Sequence, residues 1–132
     1  MRLLLAIPIA WLCGVVAYHA SLAIVWGQAV SSGDVAAVVL WSAIATAVVA
    51  PLVYWPTLTA LACLLNGYRP FVAFPIAAAA LGIVPTAFIV LMFGGRPNDL
   101  ASAEARLFFC MFAVVGVVLG SAFAIGRPRT AD

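Results

Sequence analysis

The stretch from Leu3 to Trp26 carries no Asp, Glu, Lys or Arg, and neither do Val35 to Leu65, Phe71 to Phe93 or Leu107 to Ile125. No other feature constrains the fold as strongly. A soluble domain is typically about half apolar and a quarter charged. This chain is 67% hydrophobic and 8% charged, with a mean hydropathy of +1.25. A compact domain of about this size leaves roughly a third of its chain surface exposed, so water cannot be the solvent for most of it. In lipid every backbone N–H and C=O needs an internal partner, which leaves helices or a closed barrel. Barrel strands alternate apolar and polar residues. Unbroken apolar blocks specify helices, so the expected fold is all-α: one transmembrane domain over residues 1–132, a bundle of four membrane-spanning helices.

The first span is read at about 3–26. It exceeds the ~7–15-residue apolar core of a signal peptide, so Arg2 and the leucines after it read as the start of a retained helix. A loop around Ser31, Ser32, Gly33 and Asp34 follows, with Ser32 and Asp34 as N-cap candidates for the next helix. The second block is too long for one straight span, at ~46 Å of helix. Pro51 and Pro56 each remove a donor and crowd the preceding turn. The reading is a span over about 35–55, then a shorter helix over 56–65 that continues at an angle or lies in the interface. Tyr54 and Trp55 would sit in an aromatic belt at the junction. Asn66, Gly67, Tyr68, Arg69 and Pro70 form a turn, with Gly67 as a C-cap. The third span covers about 71–93, with Pro75 and Pro85 inside it. After a loop containing Arg96, Asn98 and Asp99, with Asp99 expected to cap Leu100 onward, the fourth span covers about 107–125.

With four spans, Arg2, Arg69, Arg127 and Arg129 share one side, and Arg96 and Arg106 lie on the other with Asp34, Asp99 and Glu104. Cytoplasmic loops are enriched in positive charge, so both termini are expected in the cytoplasm. The six basic residues are all Arg; that bias and the wealth of Ala suggest a bacterial inner (cytoplasmic) membrane. They are too few and too scattered for a nucleic-acid surface.

Chemistry-bearing residues are sparse. The absence of carboxylates and basic groups within the spans argues against an ion-coupled pump, since such groups usually mark ion pathways. Cys13, Cys63 and Cys110 lie far apart, and no Cys/His metal spacing exists; no metal or other cofactor is expected. His19, beside Tyr18, is the one imidazole in a span. It reads either as a relay or ligand residue or as a neutral ring hydrogen-bonded between helices. Gly116, Gly120 and Ala124 at spacing four offer a face for close helix approach, as do Ala6, Ala10, Gly14, Ala17 and Ser21 on the first span and Ala78, Gly82 and Thr86 on the third. These faces serve packing within the chain or an oligomer interface. Ser42, Thr46, Thr57, Thr59 and Thr86 either line a polar cavity or bond their own helix carbonyls. Arg96, Asp99, Glu104 and Arg106 form the densest polar cluster, suited to a partner, to lipid headgroups or simply to water.

No nucleophile elbow, phosphate loop or zinc-protease helix is present, and the loops leave no room for a soluble catalytic domain. The expected function is therefore non-enzymatic: a subunit, anchor or assembly partner in a membrane complex, meeting the bilayer and other membrane proteins or copies of itself. The alternative is a small oligomeric transporter or channel for a neutral or apolar substrate, suggested by the prolines and hydroxyls within the spans.

Overall fold

A computed structural model describes residues 2–29, 31–65 and 70–126, except for the side chains at 2, 3 and 70. The expected turn residues 66–69 and the tail 127–132 lie outside the described residues. The order is α1 (Arg2–Val25), α2 (Ser32–Val49), a π-helical turn (Ala50–Tyr54), α3 (Trp55–Leu64), α4 (Pro70–Ala80), α5 (Ile83–Met92), a 3-10 turn (Pro97–Ala101) and α6 (Ala103–Gly126). Among the described residues all regular structure is helical, and four helical stretches are long and apolar enough to cross a membrane: Leu4–Val25, Ser32–Leu64, Phe71–Met92 and Ala103–Gly126. It is a multi-pass membrane protein.

Three boundaries depart from the sequence reading, each for a local reason. Ser31, rather than Ser32 or Asp34, caps α2: its hydroxyl accepts from the Asp34 N–H at 3.1 Å and donates to the Asp34 carboxylate at 2.5 Å. Asp99 does not cap the last span. Its carboxylate accepts from the Arg96 N–H at 2.6 Å and so closes the 3-10 turn. The Ser102 hydroxyl accepts from the Ala105 N–H at 3.1 Å instead, which starts α6 earlier than the position read for the fourth span.

The prolines act unequally. Pro51 and Pro56 do not break the chain's helical course: the helix runs continuously from Ser32 to Leu64. Pro51 has no N–H for the carbonyl of Ala47, and Pro56 has none for that of Leu52. The chain absorbs both losses by widening one turn: the Trp55 N–H donates to the carbonyl of Ala50, five residues back. A π turn inserts one extra residue while keeping the backbone bonded, which lipid requires. Pro85 has the stronger effect. It cannot donate to the Leu81 carbonyl, and the third span divides there into α4 and α5, with Leu81 and Gly82 between them held by tighter turns.

The last helix is the hub. α6 packs most extensively against α1 and α4, and also against α5; α2 touches α1 and α5. The approach to α4 is set by two glycines. A Cβ added at Gly120 would lie 2.5 Å from the carbonyl oxygen of Phe74, and one at Gly116 would come closer still to that of Ala78. A Cβ at Gly82 would lie 2.9 Å from the backbone of both Phe112 and Ala113. On the α1 side a Cβ at Gly14 would lie 2.6 Å from Val115 Cγ2. Ala6, Ala10 and Ala124 are buried in the same seams. Dispersion between closely fitted surfaces is what holds helices together in lipid, and any side chain at these positions would prop the helices apart. Around the seams Phe74, Met111, Phe112 and Val115 are buried almost completely.

Candidate functional site

Polar groups converge at one end of the bundle, where α1 finishes and α2 and α6 begin. There an open recess of about 430 Å³ is lined by Tyr18, His19, Leu22, Trp26, Gln28 and Ala29 from α1 and the loop after it. Asp34, Ala37 and Val38 line it from α2, and Ala103, Glu104, Leu107 and Phe108 from α6. Asp34 and Glu104 lie in the first turns of their helices, where a carboxylate offsets the positive helix end. Tyr18 is clamped between rings, with centroids 5.1 Å from Phe108 and 5.3 Å from His19. His19 lies six residues before the end of α1 at Val25, so the recess reaches on the order of 10 Å below the end of that helix.

His19 bonds its own helix rather than a neighbour. Its Nδ1 lies 2.8 Å from the Val15 carbonyl oxygen. A carbonyl only accepts, so Nδ1 carries the proton in this contact. That leaves Nε2 as the open valence of the ring, and Nε2 is buried without a hydrogen-bond partner. An imidazole held by a carbonyl at one nitrogen has a fixed orientation and presents the other in a defined direction.

Of the residues singled out in the sequence, the recess brings together Tyr18, His19 and Glu104. It does not include the other members of the loop cluster. Arg96 and Asp99 belong to the 3-10 turn, and Arg106 is exposed on α6. Gly14, Gly116, Gly120 and Ala124 lie in the helix seams described above, away from the recess. Sequence reasoning missed Trp26, Gln28 and Asp34 as neighbours of His19. Trp26 was legible as a residue about two turns beyond His19, just past the end of α1, with Gln28 in the loop after it. The approach of Asp34 and Glu104 has no local signal, because it depends on how α2 and α6 pack on α1.

Among the described residues the hydroxyls of the spans, buried at Ser42, Thr46 and Thr86 and exposed at Thr59, build no second polar site, and Thr46 Oγ1 has no hydrogen-bond partner. Ser42 accepts from Trp11 Nε1 at 2.9 Å and donates to the Val39 carbonyl at 3.2 Å. Thr59 and Thr86 donate to the carbonyls of Trp55 and Gly82, four residues back. At the opposite end of the bundle the π turn opens a smaller cavity of about 250 Å³, lined by Leu4, Ile7, Ala50, Pro51, Tyr54, Trp55, Leu58, Leu119 and Phe123. Its one hydroxyl, on Tyr54, donates to the Phe112 carbonyl at 3.3 Å, so this cavity is apolar in character.

Fold and site together define a class: a four-span helical membrane protein with a polar recess at one end and an apolar cavity at the other. No protein-family model, curated protein or solved structure matches the chain.

Proposed function

We propose that this chain is a non-enzymatic component of a bacterial inner membrane, with both termini cytoplasmic, that works by engaging another membrane protein rather than by moving a solute. The observation that carries this reading is the closed middle of the bundle. The polar recess and the apolar cavity share no lining residue. Between them Ala10, Ala45, Met111, Phe112 and Val115 are at or near zero exposure. The spans also hold no carboxylate or basic group away from their ends, and ion-coupled transport normally needs one. Because the glycine faces of α1 and α6 meet neighbours within the chain, a partner would meet the outward apolar rows instead, such as Leu5, Ile9, Leu12 and Val16 on α1, all exposed. The orientation rests on the arginine count of the two sides.

Purification from native membrane in a mild detergent, without crosslinking, tests the proposal. A partner of different sequence in fixed stoichiometry is the expected result; a homogeneous preparation of this chain alone would oppose it. A second reading, a small oligomeric carrier for an apolar substrate, is favoured by one observation: the π turn at Ala50–Tyr54 leaves an apolar cavity in a span, and π turns are frequent at functional sites.

A further inference from the structure

The recess beside His19 has a composition that selects the chemistry of what enters it. Its charged lining residues are Asp34 and Glu104, both acidic, contributed by two different helices. Neither carboxylate has an ion-pair partner among the described residues; Asp34 accepts a hydrogen bond from Ser31, and Glu104 has no side-chain hydrogen bond. The simplest structural role for them is to offset the positive ends of α2 and α6. Each helix N-terminus is equivalent to roughly half a positive charge, and the C-terminal end of α1 adds roughly half a negative one. Two full carboxylate charges therefore exceed what the helix ends require, and the recess keeps a net charge of about −1.5. Anions are repelled, and a neutral ligand would leave that charge uncompensated.

The walls narrow the choice further. Trp26, Tyr18 and Phe108 supply aromatic faces, whose negative quadrupoles attract organic cations. Leu22, Ala37, Val38 and Leu107 supply an apolar floor. A bare metal ion would find no use for these surfaces, and among the described residues no group of three potential ligands is gathered. A volume of about 430 Å³ accommodates an ammonium group with several attached carbons. We infer that this recess binds an alkylammonium group, its charge held between Asp34 and Glu104 and its carbons against Trp26, Tyr18 and Leu107. The inference is independent of the assembly reading, because a carrier or an assembly subunit could equally hold such a ligand. The ammonium can belong to a lipid headgroup such as ethanolamine, given a recess that reaches below the helix ends, or to an amine dissolved in water.

The test uses the full chain in an uncharged maltoside detergent. It is titrated with n-butylammonium and, separately, with butyrate, while melting temperature and tryptophan emission are followed. Saturable stabilisation by butylammonium, absent with butyrate, is expected. The emission change is expected to vanish in Trp26→Phe. Asp34→Asn and Glu104→Gln should each weaken apparent affinity roughly two- to fivefold, as expected for partly exposed ion pairs. Glu104→Gln removes no side-chain hydrogen bond and keeps the size of the residue, so it reports on charge even if Asp34→Asn disturbs the α2 cap. Repeating the titration in nanodiscs identifies the source. Weaker apparent binding with phosphatidylethanolamine than with phosphatidylglycerol alone assigns the site to the headgroup, and equal binding assigns it to a soluble amine; either upholds the site. Absence of saturation, an equal response to butyrate, or unchanged affinity in folded Glu104→Gln would overturn it.

Discussion

Replacing Gly120 with alanine adds one methyl group at the tightest kind of contact this bundle contains. The new Cβ would stand 2.5 Å from the Phe74 carbonyl oxygen, 2.7 Å from its carbonyl carbon and 2.8 Å from the Pro75 Cα. All three are backbone atoms, so no side chain can rotate out of the way. Ordinary contact begins near 3.4 Å, and α4 would have to retreat by about 0.9 Å from the position in which its carbonyls meet α6. A radial gap of that order forfeits roughly a quarter to a half of the dispersion attraction along the seam. Overpacking of a fitted interior typically costs ~1–3 kcal/mol, and a clash with backbone belongs at the upper end, about 3 kcal/mol. In Gly33→Ala the same substitution meets nothing nearer than Ser31 Oγ at 4.0 Å, and alanine is favoured over glycine in a helix by ~0.5–1 kcal/mol. Thermal unfolding in detergent, followed by circular dichroism, should therefore move in opposite directions. Gly120→Ala should melt on the order of 5–10 °C lower than the native chain, and Gly33→Ala at the same temperature or slightly higher. If Gly120→Ala melts with the native protein, α4 and α6 do not meet at this face and the packing account is wrong.

Other substitutions probe separate links. A double-mutant cycle on Trp11→Phe and Ser42→Ala should return a coupling of about 0.6 kcal/mol, typical of side-chain hydrogen bonds between membrane helices; zero coupling would deny the 2.9 Å contact between α1 and α2. His19→Gln should keep native helicity and lose at most ~1 kcal/mol, the net worth of the bond to the Val15 carbonyl; collapse of the fold would show that the imidazole supports more than its own helix. Tyr54→Phe should cost only about 0.5 kcal/mol, because its bond to Phe112 is long at 3.3 Å, and a loss several times larger would mean that the hydroxyl anchors the π turn.

The elements were legible in the sequence to the extent that lipid makes them so. Uncharged blocks such as Phe71–Met92 announce spans because no soluble fold could bury them. The details decided by competition between neighbouring groups were not legible. Ser31, Ser32 and Asp34 can each cap α2, and only the final geometry selects Ser31. Pro51 and Pro85 carry the same chemical defect, yet one is absorbed by a π turn and the other divides its span. The stripe of Gly116 and Gly120 announced a close contact without naming α4 as its partner. The recess was least visible. His19 and Tyr18 were evident as polar residues in an apolar helix, but Asp34 and Glu104 reach them only through packing of α2 and α6 on α1.

In the function proposed here the bundle, closed through its middle, acts by contact and moves no solute. Reconstitution of the purified chain in liposomes measures this directly, with release of protons, potassium and a neutral solute such as glycerol, and exchange of an apolar dye, each compared with protein-free vesicles. Rates indistinguishable from those of empty vesicles are expected for every one of them. A saturable, protein-dependent flux of any one would contradict the proposal and make the chain a carrier.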